Sequence, residues 1–306
     1  MHRTQRAMLI GEFTPKKMEA RRPRVQQIVD DTLDALLQGP RPVDLMSAFA
    51  LPVAVGVICD VLGIDAEDDR RMLHDLCRTV ASHTTGADEA ARSWHALGTY
   101  FRDLVEAHLH EPRPGLLGQV VVARVRSGEL STQDAVAMTQ LLFHAGHGTT
   151  AYMIGVAVVA LFSHPDQLAA FRAMDDLAPA VTELLRYTTI AHNATPRVAT
   201  EDIVIGTTLV RAGEGVLIQL DAADRDPSAF PDPNRLDIHR TPSRNLALGH
   251  GLHHCLGHAL AHIEQQVALG TLLRRVPGLR LAVSVHELPF KNNENLIGLQ
   301  RLPVTW

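Results

Sequence analysis

The sequence contains very little cysteine. Three cysteines are spread over 306 residues, and no two of them form a C-x-x-C pair. This spacing excludes a disulfide framework, and it disfavours the usual zinc sites, which need closely paired ligands. Few, scattered cysteines suit a reducing compartment, and the N-terminus shows neither a secretory signal nor a membrane anchor. The sequence therefore predicts a cytoplasmic protein without a membrane anchor.

Repeats and low-complexity tracts are also missing, so solenoid and disordered classes are excluded. The net charge is −5, and no nucleic-acid-binding motif is present. We therefore expect no nucleic-acid partner. The chain is 46% hydrophobic, which is enough material for one large core. These features together predict a globular enzyme-sized core.

One cysteine differs from the other two in its surroundings. Cys59 and Cys77 stand in apolar stretches typical of small buried hydrophobes. Cys255 follows a glycine-punctuated run, Leu248–Gly257, and stands at the start of a helical pattern over 256–263. A thiolate there gains from backbone N–H groups and the helix dipole, and the glycines allow a flat group to approach closely. Both features suit a cysteine that ligates a haem iron.

Two other interpretations of Cys255 stay open at this point. It can be a small buried hydrophobe like the other two. It can also be a zinc ligand, because histidines crowd around it at positions His250, His253, His254, His258 and His262.

Two further patterns lie upstream of this loop. Glu183 and Arg186 stand three apart in the helical pattern 180–187, so they can bond each other on one helix face. The segment 203–214 alternates and turns like a β-hairpin.

A long helix is predicted from about Gln133 to Phe162, with Ser131 and Thr132 as candidate N-caps. Its apolar part, 150–162, is too short for a membrane span, so a buried core helix is the better interpretation. Within this predicted helix, the segment Ala145–Thr150 contains small residues and a threonine, which leave room for a flat group beside the helix.

These motifs together resemble cytochromes P450 of the soluble bacterial type. Gly249, Gly251, His253, Cys255 and Gly257 match the haem-binding loop of that family, with Leu248 standing where the family usually has Phe. The resemblance implies a mainly α fold with small β-sheets, a single haem domain over 1–306, and haem b with Cys255 as the axial iron ligand.

The resemblance also implies roles for other residues. The residues that would contact the haem propionates are His2, Arg6, Arg197 and His253, and those of the helix over the haem are Ala145, Gly146 and Thr149. A buried structural network would contain Glu183, Arg186 and Arg235. The substrate pocket would be lined by Ile190, His192, Asn193 and Ile297.

Two departures from the family pattern affect these expectations. Gly148 stands where the family usually has Asp or Glu for proton delivery, so turnover should be slow or uncoupled unless water or His147 substitutes. In addition, His2 and Arg6 match a family helix that about a hundred residues normally precede. We therefore expect an N-terminally truncated fold without the first helices, most of one sheet and the pocket loop.

The resemblance implies a monooxygenase that inserts one oxygen atom from O2 into a hydrophobic small molecule. Electrons would come from NAD(P)H through a ferredoxin reductase and a ferredoxin. Residues 1–24 hold seven Arg or Lys against two Glu, which suits docking of an acidic ferredoxin. The alternative is a P450-like, non-catalytic partner that stabilises or activates another biosynthetic enzyme such as a glycosyltransferase.

Overall fold

The structure is a computed structural model that describes residues 2–64, 67–81, 85–192, 196–241, 244–291 and 296–306. Helices dominate these residues, as the sequence predicts. They are α1 (His2–Leu9), α2 (Pro15–Glu19), α3 (Arg22–Gln38), α4 (Leu51–Leu62), α5 (Glu67–Ala81), α6 (Ala87–His110), α7 (Val122–Arg126), α8 (Thr132–Ser163), α9 (Pro165–Ala173), α10 (Ala178–Thr188), α11 (Leu220–Ala223) and α12 (His258–Arg275).

The strands of the described residues are short and form three small antiparallel sheets. They are β1 (Val43–Asp44), β2 (Pro196–Val198), β3 (Ile203–Ile205), β4 (Thr208–Val210), β5 (Gly215–Leu217), β6 (Arg280–Leu281) and β7 (Pro303–Thr305). β7 lies between β1 and β6, and β2 pairs with β5. β3 pairs with β4 across a turn where Gly206 has a φ of 61°, so the predicted hairpin is confirmed.

The long helix α8 organises the core. Ser131 caps its N-terminus by accepting the backbone N–H of Asp134 at 3.0 Å, as the sequence predicts. By length and composition α8 could cross a membrane, but 72% of its apolar window is buried inside the protein. α4, α6, α10 and α12 pack around it. The interpretation as a buried core helix is therefore confirmed.

A buried ion cluster joins α10 to the segment that follows α11. Arg186 donates two hydrogen bonds to Glu183, of 2.7 and 2.8 Å, and both side chains are 2% exposed. Arg186 also donates to the carbonyls of Asp224 and Pro233. Every polar edge of this pair thus meets a partner, which is the condition for burying charge.

The second guanidinium of this cluster belongs to Arg240. It donates to Glu183 at 3.1 Å, whereas the resemblance assigned this place to Arg235. Arg235 is exposed and contributes only its backbone carbonyl, which accepts from Arg186 and Arg240. The resemblance pointed to Arg235, but the turn after it places the side chain of Arg240 against the carboxylate.

Glu183→Ala should lower the free energy of unfolding by about 3–5 kcal/mol, because it leaves two buried guanidinium groups without their anion. The chain offers a matched control in Glu19 and Arg22, an exposed Glu–Arg pair with the same three-residue spacing. Glu19→Ala should cost less than about 1 kcal/mol. Chemical denaturation of both variants tests this, and equal losses would contradict a structural role for the buried cluster.

Candidate functional site

The loop before α12 holds Cys255 in a fixed backbone geometry. Gly249 and Gly251 have φ angles of 75° and 68°, a left-handed region that favours glycine. Between them and the cysteine the chain turns back, so that the Cys255 N–H donates to the Leu248 carbonyl at 2.9 Å. The helix begins at His258, two residues later than its sequence pattern indicates. Cys255 therefore stands in the loop before the helix, with a partly buried side chain.

The electrostatics of Cys255 combine two opposing effects. The pKa of its thiol is raised overall, because burial outweighs the backbone N–H of Gly257 and the positive charge of Arg6, which both lower it. These two groups favour the thiolate form that an iron ligand needs, against the cost of burial.

The N-terminal helix contributes an imidazole and a guanidinium to the same place. The ring of His2 on α1 stacks on the ring of His253 with centroids 4.2 Å apart, and Arg6 acts electrostatically on Cys255 and His254. The structure thus brings together His2, Arg6, His253 and Cys255, which are about 250 residues apart in the chain. Arg197 projects separately from β2, where it is exposed and donates to the carbonyl of Pro196.

The middle of α8 presents an open face. Ala145 is exposed, and Thr149, one turn later, is partly exposed and donates its hydroxyl to the Ala145 carbonyl at 2.7 Å. A Cβ added to Gly148 would meet no atom within 4 Å, so this position also borders open space. These three residues share one side of the helix.

Two neighbouring residues of α8 face elsewhere. A Cβ on Gly146 would lie 2.7 Å from Ile58, so its small size serves the close packing of α8 on α4. His147 is 4% exposed and stacks on Phe143, on the side of α8 opposite Ala145. Burial lowers its pKa to about 3, so it is neutral near pH 7. The suggestion that His147 replaces the missing acid is therefore not supported by its position.

The residues present fit a haem. Among the described residues, neither Arg6 nor Arg197 has a carboxylate within ion-pairing distance, so both cations are available for the acidic edge of such a group. Positions where a Cβ would meet nothing within 4 Å occur at Gly251 and Gly257 in the cysteine loop and at Gly148 on α8. A flat group with an anionic edge matches these cations and this open space, with Cys255 as the iron ligand.

The predicted pocket residues are partly brought together. The Ile297 N–H donates to the Ile190 carbonyl at 2.8 Å, which joins the chain after α10 to the C-terminal segment. His192 lies 3.0 Å from a carboxylate oxygen of Asp221, so its ring is already engaged. Asn193 lies outside the described residues.

Comparisons with known proteins agree with this geometry. The Cytochrome P450 family profile matches residues 167–277. Cytochrome P450 GfsF of Streptomyces halstedii is 43% identical over 310 residues, covering 100% of this chain and 74% of the relative. The vitamin D3 dihydroxylase of Streptomyces griseolus is 42% identical over 306 residues, which cover 100% of this chain and 75% of the relative. Among solved structures, this chain superposes on the mycinamicin VIII C21 methyl hydroxylase MycCI from Micromonospora griseorubida with a TM-score of 0.95. The two sequences are 38% identical, and the match covers 100% of this chain and 78% of that one.

The chain belongs to the cytochrome P450 family. It is accordingly a P450 monooxygenase with the mainly α P450 fold, and its family implies haem iron. It spans about three quarters of the length of the relatives it matches.

One buried acid near the candidate site is missing from the sequence-based predictions, because it stands in an otherwise apolar helix face. Glu264 on α12 is 3% exposed, and Thr150 of α8, next to Thr149, donates its hydroxyl to it at 3.3 Å. Gln265 donates to the Thr150 carbonyl and holds the two helices in register. The sequence does offer a sign of this residue, because Glu264 is an acid at a position of the 258–275 helix where the apolar pattern predicts a buried side chain. Glu264 is thus a buried acid that links α12 to α8 at Thr150.

A second missed residue is Asp224, which positions the cysteine loop. Its carboxylate accepts the Leu246 N–H at 2.6 Å and the Thr189 hydroxyl at 2.9 Å. The chain from 244 to 249 is thereby tied to the end of α10. These two acids differ in their roles. Asp224 accepts a hydrogen bond from the Leu246 backbone, whereas burial raises the pKa of Glu264 and favours its protonated form.

Glu264 should make the stability of the protein depend on pH. Burial raises its pKa to about 8, against a starting value of 4.5. The folded chain then binds more protons than the unfolded chain between these values, so stability falls as pH rises from about 5 to about 8. Glu264→Gln should remove this slope, which amounts to about 1.4 kcal/mol per pH unit at most.

The measurement is denaturant unfolding of wild type and variant across pH 5 to 8. Glu106→Gln, on the exposed face of α6, is the control and should leave the slope unchanged. Parallel stability curves for wild type and Glu264→Gln would show that the carboxyl is ionised in the fold.

Proposed function

We propose that this chain binds haem b through Cys255 and hydroxylates a hydrophobic small molecule with electrons from a ferredoxin. The observation that carries the proposal is the assembly of Cys255, its Gly257 N–H donor, and His2 and Arg6 of α1 beside the open space at Gly251 and Gly257. When bound, the haem supplies oxygen activation; the protein supplies binding, orientation and electrostatics.

The residues of this chain divide that work. Cys255 holds the iron by its sulfur. His2, Arg6, Arg197 and His253 bind the propionates with charge-assisted hydrogen bonds. Thr149 has a hydroxyl on the open face of α8, and Glu264 holds a proton on a carboxyl one residue and one hydrogen bond away from it.

The substrate class is supported by the relatives and by the pocket wall. The relatives' names identify vitamin D3 and mycinamicin VIII as compounds on which they act or which they bind, and both relatives are hydroxylases by name. Two apolar side chains, the buried Ile190 and the partly buried Ile297, meet on this side of the chain. We propose a hydrophobic secondary metabolite or xenobiotic as substrate.

The electron donor is proposed from the charge around α1 and α2. Of the seven cations in residues 1–24, Lys17, Arg21, Arg22 and Arg24 already pair with acids of this chain. Arg3 and Lys16 are exposed, so the docking patch is smaller than the sequence composition suggests. It still presents positive charge beside the cysteine loop, which suits an acidic ferredoxin of the cytoplasm reduced by NAD(P)H through a reductase.

The alternative of a non-catalytic P450-like partner has less support. The cysteine loop is intact, and the matched relatives bear names of hydroxylases. One spectrum separates the two proposals.

The reduced, CO-bound spectrum should show the red-shifted Soret band of a thiolate-ligated haem. Cys255→Ser should lose this band because the hydroxyl is a poor substitute for the thiolate. Cys77→Ala, which removes a buried thiol elsewhere, is the control and should keep it. If the wild-type chain takes up no haem at all, the enzyme proposal fails and the partner proposal stands.

Gly148→Glu should raise the product formed per NAD(P)H consumed. The position borders open space, so the side chain can be accommodated, and a positioned acid contributes about 10²- to 10⁴-fold to such proton transfers. Gly148→Gln has the same size without the acid and should not improve coupling. Unchanged coupling in the glutamate variant would mean that Glu264 or water already delivers the proton.

Reversing the charge of Arg3 and Lys16 to Glu should slow reduction by an acidic ferredoxin about tenfold or more at low salt, because steering acts mainly on encounter. The difference should shrink as salt rises. Arg92→Glu, on the exposed face of α6, is the control. Equal reduction rates in the three proteins, measured by stopped flow, would place the docking surface elsewhere.

A further inference from the structure

A second concave site lies outside the haem region, between α3, α4 and α5. The open groove has a volume of about 580 Å³, which is within the range of small-molecule sites. None of the residues assigned to the haem lines it. α4 forms its floor and also packs on α8, so the groove opens to solvent on a separate surface of the protein.

The floor of the groove is apolar. Ile28 of α3 and Leu51, Pro52 and Val55 of α4 line it. Gly56 lets the two helices approach, since a Cβ there would lie 2.9 Å from the Ile28 side chain. This surface suits a hydrocarbon body.

The α5 side of the groove carries an arginine that forms no ion pair with another described residue. Arg70 is partly buried, its Nη2 donates to the carbonyl of Ile64 at 3.3 Å, and its buried Nε has no hydrogen-bond partner. Within the described parts of the chain, no carboxylate forms an ion pair with Arg70. The nearby Cys59 cannot serve as the counter-ion, because burial raises the pKa of its thiol to about 12. The Ile64 carbonyl takes only part of the five-donor capacity of this guanidinium, which leaves donors for an anion in the groove.

Other charges on the walls define an orientation. Arg71 also lines the α5 side, while Asp31 stands on the α3 side with its carboxylate accepting from Gln27. Arg24 of the α3 wall is already paired with Asp60 at 2.8 Å. An anionic head group is therefore attracted to α5 and repelled by α3, and an apolar tail then lies along the α4 floor.

We propose that this groove binds a free aliphatic carboxylate, with its head on Arg70 and its chain over Ile28, Leu51 and Val55. The planar guanidinium matches a carboxylate with two parallel hydrogen bonds. The apolar floor favours such a ligand over a fully hydrated anion such as phosphate. The site is distinct from the haem pocket and does not depend on the proposed reaction.

Decanoate is the probe, and binding to the haem-loaded chain is measured by calorimetry while the Soret band is followed in parallel. One decanoate per chain should bind without a Soret change. Arg70→Gln should weaken this binding at least tenfold, because it removes the charge that selects the head group. 1-Decanol, which has the same chain length without the charge, should also bind at least tenfold more weakly than decanoate.

Two further variants test whether decanoate binds in the groove and whether Arg70 acts specifically. Ala35→Trp fills the groove from an exposed position of α3, so it should block decanoate without disturbing the core. Arg92→Gln removes an exposed arginine of α6 and should bind decanoate as the wild type does. The proposal is overturned if Arg70→Gln and Ala35→Trp bind decanoate as tightly as Arg92→Gln, or if all binding is accompanied by a Soret shift, which would assign it to the haem pocket.

Discussion

The carboxylate of Glu183 is the anion on which the rest of the haem side depends. It neutralises Arg186 and Arg240, and these guanidiniums in turn bind the backbone carbonyls of the segment from Asp224 to Arg235. A buried charge is costly when any of its hydrogen-bond partners is missing. The backbone of this segment must therefore keep one conformation for the cluster to be stable. The cluster therefore converts an ion pair into a constraint on chain geometry.

That constraint extends to Cys255, the proposed iron ligand. Asp224, whose carbonyl is bound by Arg186, uses its carboxylate to hold the N–H of Leu246. From there the left-handed glycines Gly249 and Gly251 turn the chain so that Cys255 bonds back to Leu248. The sulfur is thus placed by a series of hydrogen bonds that begins in the interior of α10. A site built on such a rigid support is precise, because few of its torsions are free.

The side of the site formed by α8 follows a different principle. There the open face at Ala145, Gly148 and Thr149 is created by small side chains, and the acid that belongs beside them in the family is absent from α8. Glu264 reaches the same helix from α12, and its burial keeps it protonated over the neutral pH range. When ionised, Glu264 also raises the pKa of the Cys255 thiol through its charge, so the α8–α12 contact and the cysteine loop are electrostatically linked.

Local patterns in the sequence determined what depends on neighbouring residues alone. The cap at Ser131, the helix around Glu183, the hairpin at 203–210 and the cysteine loop all follow from residues within a few positions of each other, because helix capping, hydrophobic periodicity and glycine conformations are local effects. Only the tertiary structure decided which side chains meet. It replaced Arg235 by Arg240 at the ion cluster, turned His147 and Gly146 away from the open face, and brought Glu264 to Thr150 and Arg70 to an apolar groove. These outcomes depend on how helices far apart in the chain rotate and pack against each other, and the periodicity of one helix does not specify which of its polar residues a neighbouring helix will cover.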